Sequence, residues 1–143
     1  GRITVTDPRM SRFWITLEQG VRFTISCIEQ MQGGEVFIPK LPSMNVVDLA
    51  RTIAPGAQVE FIGIRPGEKL HEAMLSDDEA RATFELDDRY VLTAGDREHA
   101  LEHWQSRGSR LPDGFAYTSQ NNDHWLSIDE MKELLRAAEP CTV

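Results

Sequence analysis

Residues 59–72 read VEFIGIRPGEKLHE, and this stretch predicts a β-strand that ends in a tight turn. The run from Val59 to Ile64 is rich in β-branched residues, and the Pro-Gly pair after it forces a turn. In open α/β sheets, ligands bind at the carboxyl ends of the strands. An arginine fork grips a diphosphate and a carboxylate accepts two ribose hydroxyls, so Arg65 and Glu68 are candidate binding residues for a nucleotide-sugar. The alternative interpretation is a surface Arg–Glu pair that closes the turn.

The residues before this stretch alternate between strand and helix patterns. Thr16 with Gln19 three residues later forms a capping box, and apolar residues then recur at helical spacing until Gly33. The predicted elements of the first half are a strand at 3–5, this helix, a strand at 36–38, a helix that opens at Asn45 and the strand at 59–64.

The second half continues the alternation with shorter elements. Strands are predicted at 73–75 and around 90–92, with a helix capped by Asp96 after them, and Ser127 with Glu130 forms the capping box of a terminal helix. The order predicts an α/β fold with a partly parallel sheet. We expect an α/β domain over 1–110, with a loop arm and a terminal helix over 111–143 packed on it.

Composition narrows the class of protein. The 143 residues carry 15 Lys and Arg against 23 Asp and Glu, a net charge of −8, which argues against a non-specific nucleic-acid partner. No apolar run approaches the roughly 18 residues of a membrane span, so no membrane partner is expected. Two cysteines, Cys27 and Cys141, make no disulfide framework and favour a cytoplasmic location. Cys27 falls inside the first helix pattern and is predicted to be a small buried apolar residue.

The longer motifs of the chain resemble one enzyme family. Residues 7–21 read DPRMSRFWITLEQGV, residues 37–44 read FIPKLPSM, and residues 121–127 read NNDHWLS. Together with residues 65–72, they resemble the carboxyl-terminal part of the inverting UDP-N-acetylglucosamine 4,6-dehydratases, which are extended short-chain dehydrogenases of bacterial pseudaminic-acid and surface-polysaccharide biosynthesis. The resemblance implies the substrate-binding part of that fold, without the amino-terminal Rossmann half.

The resemblance also implies roles for three residues. Arg65 would contact the diphosphate of a UDP-sugar, and Glu68 would contact the uridine ribose. Arg12 matches an arginine that related enzymes aim at the same phosphates, and two arginines on one diphosphate make electrostatic sense. Without the resemblance, a partly solvated Arg12 beside Trp14 is the simpler interpretation.

The cofactor and the catalytic pair of that family have no counterparts in the sequence. No G-x-x-G-x-x-G or G-x-G-x-x-G turn is present, so NADP, the cofactor of the full-length family, has no binding motif in this chain. The family's chemistry needs a Tyr followed four residues later by Lys, but Ala94 and Asn121 stand four residues after Tyr90 and Tyr117. We therefore expect no cofactor and no catalytic residue, and a chain that binds a UDP-sugar weakly without turning it over.

Two other interpretations stay open. The few short strands leave sheet edges and apolar surface for a second copy to cover, which favours a homo-oligomeric interaction module with a vestigial ligand site. The second interpretation is that the chain is one half of a split dehydratase, whose Rossmann half acts in trans. Gly1 in place of an initiating Met is typical of a processed or excised chain.

The second half of the chain also contains a match to a zinc-binding motif. Residues 99–103 read HALEH, which matches the inverted zinc-protease pattern, and His99 and His103 would share one helix face. The apolar side of that helix lies elsewhere, and the sequence offers no strong third ligand. A solvated histidine pair is the favoured interpretation.

Overall fold

The computed structural model describes residues 1–93 and 98–138, and it forms two compact units that are interleaved along the chain. Unit one consists of residues 1–18, 41–72 and the described part of 118–143. Unit two consists of residues 19–40 and the described part of 73–117. The boundary predicted after residue 110 falls inside unit two, because the chain leaves unit one and re-enters it twice.

Short strands and five helices make up the regular structure of the described residues. The strands are β1 (Arg2–Val5), β2 (Ser11–Phe13), β3 (Val36–Pro39), β4 (Ser43–Asn45), β5 (Gln58–Phe61), β6 (Ala73–Leu75), β7 (Thr83–Glu85), β8 (Arg89–Leu92), β9 (Ser109–Arg110) and β10 (Tyr117–Thr118). The helices are α1 (Leu17–Gln30), α2 (Val46–Ile53), α3 (Asp77–Ala80), α4 (Glu98–Gln105) and α5 (Ile128–Ala138). β6 and β10 pair as a two-stranded sheet.

Unit one contains two strand pairs and two helices that pack on each other. β1 runs parallel to β5, with Ile3 opposite Val59, and β2 runs antiparallel to β4, with Arg12 opposite Met44. α2 packs against α5, and Met131 of α5 is fully buried. β5 ends at Phe61, three residues earlier than the predicted strand end, so residues 62–64 connect the strand to the predicted ligand-binding turn.

Unit two is built on an antiparallel sheet with the strand order β3-β8-β7-β9. Phe84 of β7, Val91 of β8 and Trp104 of α4 are fully buried against one another. The Phe37 ring meets the Trp104 ring edge-on, with 5.6 Å between the ring centroids. Burial of these aromatic and branched side chains is the main driving force for this unit.

Side-chain caps explain where two of the helices begin. The Asn45 side chain accepts a hydrogen bond from the Val47 amide at 2.8 Å, which fixes the first turn of α2. At α5, the Glu130 carboxylate accepts hydrogen bonds from the Ser127 amide at 2.8 Å and from the Ser127 hydroxyl at 2.7 Å. The predicted helix starts at Asn45 and Ser127 are therefore confirmed.

The mixed α/β class is confirmed, and the sheet of four strands is antiparallel rather than parallel. The α1 helix begins at Leu17 as predicted, but its apolar side chains lie at the surface, with Leu17 85% exposed. The prediction that Cys27 is buried is wrong: its side chain is half-buried, because the stripe that it flanks is not covered. The predicted Asp96 cap lies outside the described residues.

No helix in the described part of the chain is both long enough and apolar enough to cross a membrane.

Candidate ligand-binding segment

The turn at residues 65–68 has the conformation that its sequence predicts. Pro66 presets one backbone angle, and Gly67 adopts a φ of 86°, which side chains with a Cβ rarely reach. The Glu68 amide donates to the Arg65 carbonyl at 3.1 Å and closes the turn. A Glu68 carboxylate oxygen also accepts the Arg65 amide at 2.9 Å, so the acidic side chain is tied to the backbone of the arginine.

The two candidate binding side chains of this turn differ in how far they are engaged. Arg65 is exposed, and its guanidinium has no hydrogen bond or ion pair within the described residues. Glu68 is half-buried and uses one carboxylate oxygen on the turn. The surface Arg–Glu pair considered above is replaced by a contact from carboxylate to backbone. This leaves the whole guanidinium fork of Arg65 open to a ligand.

Arg12, the third candidate, is fully engaged by neighbouring groups. Its guanidinium donates to the carbonyls of Lys69 at 3.0 Å, Leu70 at 3.1 Å and Ser11 at 2.7 Å. It also lies 3.4 Å from a Glu72 carboxylate oxygen and 3.8 Å from the Met10 sulfur. The Nη1 and Nη2 donors are thus used on these acceptors, and Nε faces the Glu72 carboxylate as an ion pair. Arg12 therefore clamps β2 to the end of the 65–72 segment.

A buried polar network, which we call the Ser11 network, lies beside this clamp. The Ser11 hydroxyl oxygen is 2.7 Å from Nδ1 of His71 and 2.8 Å from the Ser119 hydroxyl oxygen. The Ser119 oxygen accepts the Glu72 amide at 2.9 Å and lies 3.1 Å from the Ser11 carbonyl. Ser11 is 1% exposed and Ser119 is fully buried. Three distant parts of the chain thus meet on hydrogen bonds at the segment that carries Arg65 and Glu68.

Sequence reasoning missed the Ser11 network for a physical reason. Its members are 60 and 108 residues apart, and hydroxyl groups carry no periodic signal along the chain. The available clue was that Ser11 and His71 both stand in long motifs. The contact between Ser11 and His71 also suggests a nucleophilic pair, but a serine with 1% exposure offers no access to a substrate.

Unit two has a polar cluster of its own around Arg89, which is 4% exposed. The Arg89 guanidinium donates two hydrogen bonds to the Asp88 carboxylate, at 2.7 and 2.9 Å. The Phe23 ring stacks on the same guanidinium, with 4.7 Å between its centroid and the guanidinium carbon. Arg89 also donates to Ser26 at 2.9 Å and to the Cys27 sulfur at 3.4 Å.

Two pKa shifts follow from this Arg89 cluster. The side-chain hydrogen bond from Arg89 lowers the pKa of Asp88. Burial raises the pKa of the Cys27 thiol, which keeps it protonated and unreactive. A cavity of about 280 Å³ beside the cluster is lined by Gln30, Leu86, Asp87, Asp88, Arg89 and Arg107. The lining balances two carboxylates against two guanidiniums, so the cluster is a structural ion-pair site.

The remaining candidates for cofactor, catalytic or metal chemistry do not form a site. Tyr90 and Tyr117 are buried, and their rings pack 5.0 Å apart as core residues of unit two. They do not fit the catalytic tyrosine of a dehydrogenase, and the sequence has no glycine-rich turn for NADP. His99 is exposed, His103 contacts Arg107 at 3.3 Å, and no group of three or more metal-ligating side chains occurs in the described residues.

Comparison with known proteins identifies relatives of the chain. A family model described as polysaccharide biosynthesis protein matches residues 1–94. An inverting UDP-N-acetylglucosamine 4,6-dehydratase of Campylobacter jejuni serotype O:2 is 43% identical, and the match covers 96% of the chain and 43% of that protein. The enzyme of the same description from serotype O:23/36 is 41% identical over the same shares. A UDP-glucose 4-epimerase of Rickettsia canadensis is 29% identical and is matched over 93% of the chain and 40% of its own length.

A solved structure supports the same relationship. The X-ray structure of Pen from Bacillus thuringiensis superimposes with a TM-score of 0.75 and 31% sequence identity, and the match covers 96% of the chain and 40% of that protein. The chain therefore spans less than half the length of the relatives that it matches.

Proposed function

Because the chain belongs to the polysaccharide biosynthesis protein family, we propose that it is the UDP-sugar-binding portion of a UDP-N-acetylglucosamine 4,6-dehydratase. The observation that carries the proposal is the open guanidinium of Arg65 on a turn whose backbone is fixed by Glu68. The dehydratases of Campylobacter jejuni, matched over 96% of the chain, support this choice of ligand.

The chemistry of the segment suits a nucleoside diphosphate. The Arg65 fork can pair with two oxygens of the diphosphate, because its guanidinium makes no ion pair within the described residues. The Glu68 oxygen that is not used by the turn accepts the ribose hydroxyls. The turn thus offers one unpaired guanidinium to an anionic ligand in a chain whose net charge is −8.

Arg12 differs from Arg65 because its guanidinium is already engaged by neighbouring groups. Its donors are satisfied by the Lys69 and Leu70 carbonyls and by Glu72, so it contacts a phosphate only by exchanging one of these partners. The Glu72 carboxylate is the most replaceable, because its distance of 3.4 Å is the longest of the oxygen contacts and it is 41% exposed. Arg12 therefore contributes to affinity mainly by holding the segment in place.

Catalysis is not part of the proposed role of this chain alone. Hydride transfer and proton transfer need NADP and a tyrosine in the active site, and the residues described above fit neither. We expect binding without turnover, and weak binding, because the groups that contact the rest of the sugar nucleotide lie outside this set of residues.

Titration of the chain with UDP and with uridine tests the proposal. NMR or calorimetry is expected to give a saturable response to UDP at millimolar concentration. Arg65→Ala should weaken UDP binding by roughly tenfold and leave uridine binding unchanged, because it removes only the phosphate contact. Glu68→Gln should weaken both ligands, because the amide oxygen still accepts the turn amide but loses the charge that binds the ribose.

Arg51→Ala is the matched control for that titration. Arg51 is an exposed arginine of unit one that pairs with Asp48 at 3.1 Å, away from the segment. Its removal changes the net charge as Arg65→Ala does. A loss of UDP affinity of equal size in both variants, or no response of the wild-type chain, would sink the proposal.

A separate observation favours an additional protein partner. The apolar side chains of α1 form an exposed stripe, which consists of Leu17, Val21, Ile25 and Ile28. Each is at least half exposed, and an apolar stripe of this length on one helix face marks an interaction surface. We propose that this α1 stripe is covered either by a second copy of the chain or by the NADP-binding half of a dehydratase in trans.

Light scattering and a mixing experiment separate the two partners. A homo-oligomer should dissociate in Ile28→Asp, which places a charge at the carboxyl-terminal end of the stripe. If the wild-type chain is a monomer at micromolar concentration, a second copy is excluded. Binding to a separately produced NADP-binding half, again lost in Ile28→Asp, then supports the partner in trans, and failure of both removes the proposal.

A further inference from the structure

The hydrogen bonds of the Ser11 network indicate which ring nitrogen of His71 carries a proton. The Ser11 carbonyl can only accept, so the contact at 3.1 Å uses the single hydroxyl proton of Ser119. The contact of 2.8 Å between the two hydroxyl oxygens must then use the proton of Ser11. No hydroxyl proton is left for the contact of 2.7 Å between Ser11 and Nδ1 of His71. With all three contacts kept as hydrogen bonds, Nδ1 carries its own proton and donates it; the opposite assignment gives up the contact of 3.1 Å to the Ser11 carbonyl, which also accepts an Arg12 N–H at 2.7 Å.

We propose that His71 is a positioning residue, held with a proton on Nδ1, which locks the Ser11 network and through it the 65–72 segment. The function assigned to this role rests on the proposed UDP-sugar site. The neutral ring in water prefers the proton on Nε2, so the protein selects the less common tautomer. Nε2 has no hydrogen-bond partner within the described residues, which leaves the Nδ1 bond as the contact that orients the ring.

The direction of each hydrogen bond explains why this state matters for the segment. Donation from Nδ1 frees the Ser11 proton for Ser119, whose oxygen accepts the Glu72 amide at 2.9 Å with its other lone pair. The Ser11 amide donates to the Leu70 carbonyl at 3.1 Å. The residues on both sides of His71 are thereby anchored on β2 and Ser119. If the proton were on Nε2, one of the three hydroxyl contacts would have to break.

Nitrogen NMR of the wild-type chain tests the tautomer directly. Long-range couplings between the ring protons and nitrogens report which nitrogen carries the proton at a pH where the ring is neutral. We expect the pattern of a protonated Nδ1 for His71 and the common Nε2 tautomer for the exposed His124 of the same unit. A protonated Nε2 in His71 overturns the proposal, and this result does not depend on any ligand.

Conservative variants test the positioning role. The side-chain amide of His71→Asn places an N–H near the position of Nδ1, whereas His71→Gln extends toward the position of Nε2. UDP affinity should fall by roughly tenfold in His71→Ala and in His71→Gln and stay within about threefold of wild type in His71→Asn. His124→Ala is the control and should bind as wild type. Equal losses in the Asn and Ala variants overturn the positioning role.

The outcomes separate this proposal from the proposed function. If no form of the chain binds UDP, the UDP-sugar site fails, and the NMR signal of the Glu72 amide replaces affinity as the readout. That amide should keep its protection from hydrogen exchange in His71→Asn and lose it in His71→Ala. Exposure of the Glu72 amide in both variants, or in neither, rejects the positioning role.

Discussion

The centre of unit one combines a hydrogen-bonded serine network with buried methionines, whereas the centre of unit two is held mainly by aromatic packing. The fully buried side chains of unit one include Ser11, Ser43 and Ser119, and those of unit two include Phe84 and Trp104. An apolar core depends on the volume that is filled, but a polar network depends on every donor meeting an acceptor. The stability cost of a substitution should therefore follow lost volume in unit two and lost hydrogen bonds in unit one.

The largest effect is expected for Trp104→Ala in unit two. Trp104 is fully buried between Phe37, Phe84 and Val91, and its removal leaves a cavity that small side-chain shifts cannot fill. The free energy of unfolding should fall by about 3–5 kcal/mol, measured by urea denaturation. Trp125→Ala is the control, because that ring is 42% exposed, and its loss should be several times smaller. Similar losses in both variants would show that packed volume does not govern unit two.

The second largest effect is expected for Ser119→Ala in unit one. The substitution leaves side-chain volume almost unchanged, so a packing rule predicts no cost. The Glu72 amide and the Ser11 hydroxyl would lose their partner in a buried site, and such loss costs about 1–3 kcal/mol. Ser106→Ala provides the reference for an exposed hydroxyl, with an expected change below about 0.5 kcal/mol. A neutral Ser119→Ala would abolish the contrast between the two centres.

The same contrast explains which parts of the fold follow from the sequence. The helix starts at Leu17, Asn45 and Ser127 were predicted because capping boxes and apolar spacing are local signals. The strands β2 and β4 were missed because each has three residues, too few for an alternating pattern. Their pairing is fixed instead by contacts between residues that are far apart in the chain.

The candidate site was predictable to the same extent. Arg65 and Glu68 belong to one local turn, and a Pro-Gly pair after a strand is enough to place them. The engagement of Arg12 by the Lys69 and Leu70 carbonyls joins residues 57 and 58 positions apart, and no local pattern encodes it. The interleaving of the two units has the same cause, since the chain order does not reveal which segments share a centre.

A third prediction concerns the polar contact in the aromatic centre of unit two. Burial raises the pKa of Glu35, but hydrogen bonds from the Trp104 indole and from the amides of Gln32 and Gly33 outweigh it and lower the pKa. A carboxyl whose pKa is lower in the folded state stabilises the fold above its unfolded pKa, and this stability is lost as the pH falls.

Glu35→Gln should therefore cost about 1 kcal/mol at neutral pH and less at acidic pH, because the stabilisation by the carboxylate is lost as the pH falls below the unfolded pKa towards the lowered folded pKa. Urea denaturation at the two pH values measures the difference. Glu102→Gln, which changes an exposed carboxylate of α4, is the matched control and should leave the free energy of unfolding almost unchanged. A gap between wild type and Glu35→Gln that is constant with pH would mean that this polar contact does not stabilise unit two.

The smallest changes in stability are expected for exposed ion pairs. They should be equal in the two units, because the difference between the buried centres does not affect the surface. Lys132 pairs with Asp129 at 2.7 Å on α5 of unit one, and Arg81 pairs with Asp78 at 3.0 Å at the end of α3 in unit two. Both pairs join residues three positions apart and are exposed, so each contributes little to stability and is screened by salt. Lys132→Ala and Arg81→Ala should therefore lower the free energy of unfolding by equal, barely measurable amounts, and high salt should remove both differences. If one variant cost more than about 1 kcal/mol in high salt, the helix end concerned would have to belong to the buried centre of its unit.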